Sequence, residues 1–235
     1  MFEDKTLIGL GCSFTFGEYQ GDINTKSCHE RSWVKKLEKL GNFKNSVNLS
    51  FPGGSNVRSE RMLFDFLQNN KEDLVIIFTI TELSRFETFN VAKKQNINIR
   101  YQPVGAWSLV LDPKFPDDPK RIEYLKYHFT ACSDNDEDVR IINRKVVMIH
   151  ALLKSLNIEH YFLEMISLPG TIKRNQLEFN IPFIEFNSKS NKQIPAYEWV
   201  KERYSLGSCG HWGDDASQGL AKYMFDYINS KYEDV

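Results

Sequence analysis

The chain has 235 residues, of which 41% are hydrophobic and 13% aromatic, and its 30 basic residues nearly balance 31 acidic ones. This length supplies a full hydrophobic core, most simply as one α/β domain, although two small domains are also compatible with it. The balanced charge, without a long block of like charges, gives no sign of a nucleic-acid or anionic-membrane partner.

The start of the chain and its cysteines indicate a cytoplasmic protein. Acidic residues precede the first apolar run and no small-residue cleavage site follows it, so we expect no signal peptide. No apolar run approaches the roughly 20 residues of a membrane span. The cysteines have no metal-site spacing and are expected to be reduced thiols, with two disulfides as the alternative. They are Cys12, Cys28, Cys132 and Cys209.

Strands and helices are predicted to alternate in the first third of the chain. Short apolar runs predict strands at 5–11, 46–50 and 73–80. Apolar residues at helical spacing predict a helix over 31–41, with Gly41 as its C-cap. A second helix is predicted over 56–70, with Asn56 as its N-cap.

The segment from Thr88 to about Ser133 has weak periodicity and contains four of the chain's prolines, Pro103, Pro113, Pro116 and Pro119. A connection of this length inside a compact domain is typical of a lid or a substrate wall, and a small subdomain is the alternative. We therefore expect a single domain over residues 1–235 with a lid-like segment at about 88–133.

Regular patterning resumes after this segment. A helix is predicted over 134–157, where Asp134 and Glu137 resemble a capping box. A fourth strand is predicted at 159–165, a candidate fifth at 181–187, and a last helix at 214–231. The alternation predicts a three-layer α/β/α fold, flavodoxin-like, with a central parallel sheet of about five strands.

Polar motifs follow three of the predicted strands. Ser13 lies in "GCSFTFG" after the first strand, "FPGGSN" follows the second, and "TITELSR" follows the third. Ligands of such sheets bind at the carboxyl ends of the strands, near the point where the strand order reverses. We expect the three motifs to form one site.

These motifs resemble those of the SGNH, or GDSL-type, hydrolases, in the family's order and spacing. "GCSFTFG" is similar to the first block, whose serine is the nucleophile, at Ser13 here. "NLSFPGGSN" resembles the second block, whose glycine donates a backbone N–H to the oxyanion hole, at Gly53. "LVIIFTITELSR" aligns with the strand and third block. "CGHWGDDASQGLAKYM" resembles the fifth block, in which a histidine precedes the last helix, at His211.

The sequence departs from the family pattern at four positions. Thr81 stands where an asparagine normally donates to the oxyanion hole, and Glu82 stands where an aspartate follows it. Ser208 occupies the position of the triad aspartate, three residues before the histidine. Cys12 replaces the usual aspartate or asparagine before the nucleophile.

The "TELSRFE" variant of the third block resembles a divergent subset that is often met in viruses of bacteria. Its Arg85 could bind an anionic substrate group, or it could stabilise a loop through Glu87. With Glu82 and Trp212, Arg85 is a candidate for contacting substrate or supporting the site.

The chemistry implied by the resemblance requires a base and an oxyanion hole. A serine hydroxyl is a weak nucleophile until a base takes its proton, and His211 is the candidate base for Ser13. Candidate oxyanion donors are the N–H groups of Ser13 and Gly53, with either the Thr81 hydroxyl or the Asn56 amide. Without an aspartate at position 208, a backbone carbonyl or the Ser208 hydroxyl would have to hold the imidazole, giving a Ser–His dyad or incomplete triad.

Simpler structural roles compete with these assignments. Ser13 could be a small turn residue and His211 a surface histidine beside Trp212. Asp214 and Asp215 could replace the missing triad acid, although Asp215 with Gln218 matches a capping box better. The remaining histidines lack the spacing of a metal site, and no phosphate-binding glycine loop is present.

The resemblance implies a serine hydrolase, an esterase or O-deacetylase that cleaves the carboxylic ester of a small molecule or carbohydrate. No metal or organic cofactor is expected. An O-acyltransferase with the same site is one alternative. A non-catalytic SGNH-fold binding module, using the segment at about 88–133, is the other.

Overall fold

A computed structural model of the chain describes residues 2–19, 22, 24–82, 85–90, 95–102, 108–111, 135–166, 179–208 and 210–233. For the strands between residues 85 and 111, and for the two ends of the long helices at 135–136 and 233, it describes the backbone alone. The predicted capping box at Asp134 and most of the loop residues of the predicted lid-like segment lie outside the described residues.

A five-stranded parallel sheet forms the centre of the fold. Its strands are β1 (Thr6–Leu10), β2 (Asn45–Asn48), β3 (Leu74–Ile80), β7 (Glu159–Glu164) and β8 (Phe183–Ile184). Their order across the sheet is β2-β1-β3-β7-β8. The second strand is added on one side of β1 and the third on the other, so the order of the strands reverses between β1 and β3. The crevice at the carboxyl ends of these two strands is where ligands of such sheets bind.

Helices cover both faces of the sheet. They are α1 (Ser13–Phe16), α2 (Thr25–Arg31), α3 (Trp33–Gly41), α4 (Asn56–Leu67), α5 (Asn135–Ser155), α6 (Ala196–Lys201) and α7 (Asp214–Glu233). Apolar residues of α3 and α7 share one core cluster with one face of the strands. Those of α4 and α5 share a second cluster with the other face. The predicted three-layer fold with about five parallel strands is confirmed.

The central strand β3 shows why a continuous apolar run becomes an interior strand. Every residue of β3 is buried, because alternate side chains enter opposite cores. Val75 and Ile77 pack beside Trp33 and Leu37 of the α3/α7 side. Ile76 and Phe78 pack on the α4/α5 side. Strands of parallel sheets that are covered on both faces therefore have continuous apolar sequences.

Two smaller sheets accompany the main one. Strands β4 (Arg85–Asn90), β5 (Gln95–Gln102) and β6 (Ser108–Leu111) form an antiparallel sheet that begins before the predicted lid-like segment and extends into it. Strands β9 (Phe186–Asn187) and β10 (Gln193–Ile194) form an antiparallel pair. The division into a single domain and a lid stays a prediction.

The structure corrects four local predictions. The candidate fifth strand at 181–187 is split, because only Phe183–Ile184 pairs with β7 while Phe186–Asn187 pairs with β10. Gly41 is the last helical residue of α3, and the left-handed C-cap is Asn42, with φ 52°. Asparagine tolerates this conformation better than other non-glycine residues.

The N-cap of α4 was also predicted wrongly. It is Ser55, whose side chain accepts a hydrogen bond from the Arg58 N–H, and Asn56 is the first helical residue. Asp215 likewise lies inside α7, which begins at Asp214, so it is not the N-cap residue of a capping box.

In the described part of the chain, no helix combines the length and the apolar character needed to cross a membrane.

Candidate active site

The turn after β1 brings Ser13 to the switch point of the sheet. Gly11 allows this close approach, because a Cβ there would lie 2.8 Å from the Thr79 Cβ and 2.5 Å from the Thr15 Oγ1. Ser13 follows as the first residue of the one-turn helix α1 and is buried, with 5% exposure. Gly17 ends the helix in the left-handed conformation at φ 91°, where a Cβ would lie 2.1 Å from the Cys28 carbonyl oxygen.

Hydrogen bonds from both neighbouring strands fix the position of α1. The Asn48 side chain, at the end of β2, donates through Nδ2 to the Thr15 carbonyl oxygen at 2.9 Å. The Thr15 hydroxyl donates to the Thr79 hydroxyl of β3 at 3.3 Å. The turn that carries Ser13 is therefore attached to the sheet on both sides of β1, which limits its movement relative to the strand ends.

A short hairpin presents His211 to this turn. Leu206 and Trp212 form an antiparallel bridge, and the Gly207 N–H donates to the His211 carbonyl oxygen at 2.7 Å. The hairpin reverses at Gly210, which has φ 77° and donates to the Gly207 carbonyl oxygen at 2.9 Å. These bonds fix the backbone of the histidine in front of α7.

An aromatic cluster fixes the imidazole ring. The His211 ring lies against Phe14, the residue after Ser13, with ring centroids 4.7 Å apart and an interplanar angle of 38°. Phe14 in turn contacts Trp212 at 4.7 Å and Tyr197 at 5.1 Å. Trp212, predicted as a candidate site-supporting residue, is buried in this cluster. The predicted simpler role of His211 as a surface histidine does not fit this packing.

The two candidate catalytic groups are within hydrogen-bond distance. His211 Nε2 lies 2.8 Å from Ser13 Oγ, although the residues are 198 positions apart in the chain. With the hydroxyl donating, Nε2 is the unprotonated nitrogen and the neutral ring carries its proton on Nδ1. This is the arrangement in which an imidazole can take the proton of an attacking hydroxyl.

The predicted oxyanion glycine lies in a turn packed against the residues that precede Ser13. Gly53 has φ 70°, and the next residue, Gly54, donates its N–H to the Phe51 carbonyl oxygen at 2.8 Å. A Cβ on Gly54 would lie 2.8 Å from the Gly11 carbonyl oxygen and 3.7 Å from the Cys12 Cα. The absence of a side chain at Gly54 thus lets this turn lie directly against the residues that precede Ser13.

Asn56 and Thr81, the two predicted candidates for a further oxyanion donor, have different environments. The Asn56 side chain accepts from the Thr81 N–H at 2.8 Å and donates to the Thr81 carbonyl oxygen at 3.1 Å. Within the described residues, the Thr81 hydroxyl is buried and has no hydrogen-bond partner. Asn56 therefore holds the backbone of Thr81, and the Thr81 hydroxyl at the end of β3 makes no hydrogen bond among the described residues.

Sequence reasoning missed one residue of the site. Glu18 comes directly after Gly17, and its N–H donates to the Ser13 carbonyl oxygen at 3.1 Å. Its carboxylate oxygen Oε2 lies 3.9 Å from His211 Nε2, the nitrogen that faces Ser13, and only 17% of the side chain is exposed. The signal available in the sequence was an acidic residue directly after Gly17, the glycine that ends the turn at Ser13.

The other predicted residues are not brought to the imidazole by any described contact. Ser208 is exposed in the hairpin turn. The Asp214 carboxylate pairs with Lys36 of α3 at 2.7 Å, and Asp215 is exposed on the first turn of α7. Glu82 is half-buried just after β3. Arg85 is the first residue of β4, and its side chain lies outside the described set, so its role stays a prediction.

Two further histidines form a buried pair away from these residues. His150 Nδ1 and His160 Nε2 lie 2.8 Å apart, and His160 Nδ1 lies 2.8 Å from the Ile158 carbonyl oxygen. Burial lowers the pKa of both imidazoles. Across the described ranges, no three His, Cys, Asp or Glu side chains come together as a metal site would require.

Neither a family model nor a curated protein matches the sequence. Solved structures do match along nearly the whole chain. A protein assigned to the lipolytic G-D-S-L family from Desulfitobacterium hafniense DCB-2 is 12% identical, with a TM-score of 0.48 over 95% of this chain and 99% of its own. The esterase EstA from Pseudoalteromonas sp. is 12% identical, with a TM-score of 0.46 over 98% of this chain and 100% of its own.

A protein assigned as an acylhydrolase from Bacteroides fragilis NCTC 9343 is 13% identical, with a TM-score of 0.38 over 95% of this chain and 88% of its own. At these identities and TM-scores the matches say nothing about the activity of this chain.

Proposed function

We propose that the protein is a serine hydrolase, an esterase or O-deacetylase that cleaves a carboxylic ester. The 2.8 Å contact between Ser13 Oγ and His211 Nε2 carries the proposal. The serine follows the carboxyl end of β1 at the switch point of a parallel sheet, where substrates of such folds bind.

The acylation step follows from this contact. Ser13 Oγ attacks the ester carbonyl carbon while His211 Nε2 takes the hydroxyl proton. The carbonyl oxygen becomes an oxyanion that accepts hydrogen bonds from the Ser13 N–H, the Gly53 N–H and the Thr81 hydroxyl. The imidazolium then gives its proton to the leaving alcohol, and the acyl group remains on Ser13.

In this proposal, side-chain packing and a backbone hydrogen bond orient His211, which is part of the role of a triad acid. The usual acid holds the imidazole in the correct tautomer and orientation. In this chain the Phe14 ring and the Gly207 N–H restrain the ring and backbone of His211. Such restraints fix orientation but stabilise the imidazolium less than a carboxylate would, so we expect modest turnover.

The surroundings of the turn support a small substrate with an apolar face. Phe51 lies in the same turn as Gly53, with 40% of its surface exposed, and the Arg58 guanidinium lies 4.9 Å from its ring centroid. Aromatic side chains commonly line small-molecule sites. The flat face of an acetylated sugar ring fits such a surface, and this favours the O-deacetylase form of the activity.

Hydrolysis of p-nitrophenyl acetate and of an acetylated xylose tests the proposal. We expect turnover by the native chain, and its loss in Ser13→Ala and in His211→Ala. Ser230→Ala removes an exposed hydroxyl at the far end of α7 and is the matched control, which should retain the native rate. Equal rates in native protein and Ser13→Ala would exclude Ser13 as the nucleophile.

A non-catalytic binding module is the second candidate, because Ser208 replaces the triad acid and is exposed. It predicts that the folded native chain turns over no ester but binds an acetylated sugar with the same affinity after Ser13→Ala. The hydrolase predicts turnover that depends on Ser13.

A further inference from the structure

Glu18 places a carboxylate on the reactive side of the imidazole. Its Oε2 lies 3.9 Å from His211 Nε2, and the same nitrogen lies 2.8 Å from Ser13 Oγ. The family's triad acid acts instead on the other ring nitrogen, Nδ1. Glu18 therefore cannot replace that acid, and its position calls for a different role.

The separation of Glu18 and His211 fits one bridging water. At 3.9 Å the two atoms are too far apart for a direct hydrogen bond. A water at an ordinary hydrogen-bond distance of about 2.8 Å from each atom would have an angle of roughly 90° between its two partners. That angle is close to the one between the two O–H bonds of water, so both of its protons can be directed at once.

The number of protons on the second nucleophile decides whether it can hydrogen-bond to both His211 and Glu18. After acylation, Ser13 Oγ no longer carries a proton, so Nε2 becomes available to a second nucleophile. Water has two protons and can donate one to Nε2 and the other to Glu18. An alcohol acceptor has one hydroxyl proton, which it must donate to Nε2, so it gains nothing from the carboxylate.

On the basis of the proposed function, we propose that Glu18 positions the hydrolytic water and so favours hydrolysis over acyl transfer. The water oxygen bonds to the acyl carbon while one of its protons passes to His211 Nε2. The bond from the acyl carbon to Ser13 Oγ then breaks, and Nε2 returns the proton to Oγ. The product carboxylic acid keeps the other proton, which is hydrogen-bonded to Glu18 until the acid leaves and ionises.

The experiment separates acylation from deacylation in Glu18→Leu. With p-nitrophenyl acetate, we expect a p-nitrophenol burst like that of the native chain, followed by turnover reduced about 10- to 100-fold. Intact mass spectrometry should show one acetyl group accumulating on the variant. Added methanol should restore p-nitrophenol release more strongly in Glu18→Leu than in the native chain, because methanol does not need the carboxylate.

Two further variants keep the test decisive. Glu18→Gln keeps an acceptor oxygen without charge, and its deacylation rate should lie between those of the native chain and Glu18→Leu. If Glu18→Leu fails to fold, the deacylation rate of Glu18→Gln tests the proposal in its place. Glu30→Gln removes an exposed carboxylate on α2, 3.4 Å from Lys39, and should leave both steps unchanged.

Each outcome separates this inference from the proposed function. Loss of the burst in the Glu18 variants, in proportion to the loss of turnover, would mean that the residue supports the whole site and does not position water. Native-like turnover without accumulated acetyl-enzyme would also overturn the inference. If the folded native chain gives neither burst nor turnover, the proposed function fails first.

Discussion

Replacing Thr81 by valine should reduce activity without reducing stability. Within the described residues, the Thr81 hydroxyl is fully buried and has no hydrogen-bond partner. A buried hydroxyl without a partner costs the folded state about 1 to 3 kcal/mol, and valine has nearly the same shape. We therefore expect Thr81→Val to raise the free energy of unfolding by about 1 kcal/mol.

The same substitution removes a proposed oxyanion donor. Loss of one such donor costs about 100- to 1,000-fold in turnover, which corresponds to about 3 to 4 kcal/mol of transition-state stabilisation. Thr81→Ser keeps the hydroxyl and should stay within a few-fold of the native rate. Ester turnover and urea unfolding, measured on the same samples, give both quantities.

A matched control lies two residues earlier on β3. The Thr79 hydroxyl already accepts a hydrogen bond from Thr15, so Thr79→Val should lower the free energy of unfolding by about 1 kcal/mol and affect turnover less than Thr81→Val does. Native-like turnover in Thr81→Val would refute the oxyanion role of Thr81. A loss of stability in that variant would refute the assignment of an unpartnered hydroxyl.

Two further predictions concern stability. Gly54→Ala should impair folding and activity, because its Cβ would lie 2.8 Å from the Gly11 carbonyl oxygen, whereas Gly53→Ala has open space around its Cβ and should cost about 1 kcal/mol through its positive φ. Thermal unfolding and ester turnover of both variants check this, and equal behaviour would contradict it. Burial holds the pKa of His150 and His160 below 6.5, so the stability from this pair should be full above pH 6.5 and fall as the pH falls. Urea unfolding at several pH values checks the sign, and the double variant with phenylalanine at both positions should show a flatter dependence.

The parts of the fold that follow from local patterning could be predicted from the sequence. The run "DLVIIFTI" is apolar on both faces, and only a strand covered by helices on both sides buries all of it, as β3 does. Ser13 and His211 were predicted because each occupies a motif at a fixed place relative to a strand or helix. Ser13 Oγ and His211 Nε2 lie 2.8 Å apart, so the two motifs meet in the structure, while their catalytic roles stay predictions.

What the sequence could not show depends on contacts between distant segments. Asn56 has the residue type of an N-cap, but its amide bonds to the backbone of Thr81, 25 residues away, so Ser55 caps the helix instead. Glu18 lies in no recognisable motif, and only the hairpin that carries His211 brings the imidazole to within 3.9 Å of its carboxylate. Local propensity contains no information about either contact.

If His211 activates Ser13 as a nucleophile, a fluorophosphonate probe should label that serine covalently. We expect one adduct by intact mass, mapped to Ser13, that is absent in Ser13→Ala and in His211→Ala and unchanged in Ser230→Ala. A folded native chain that forms no adduct, or an adduct that persists after Ser13→Ala, would contradict it.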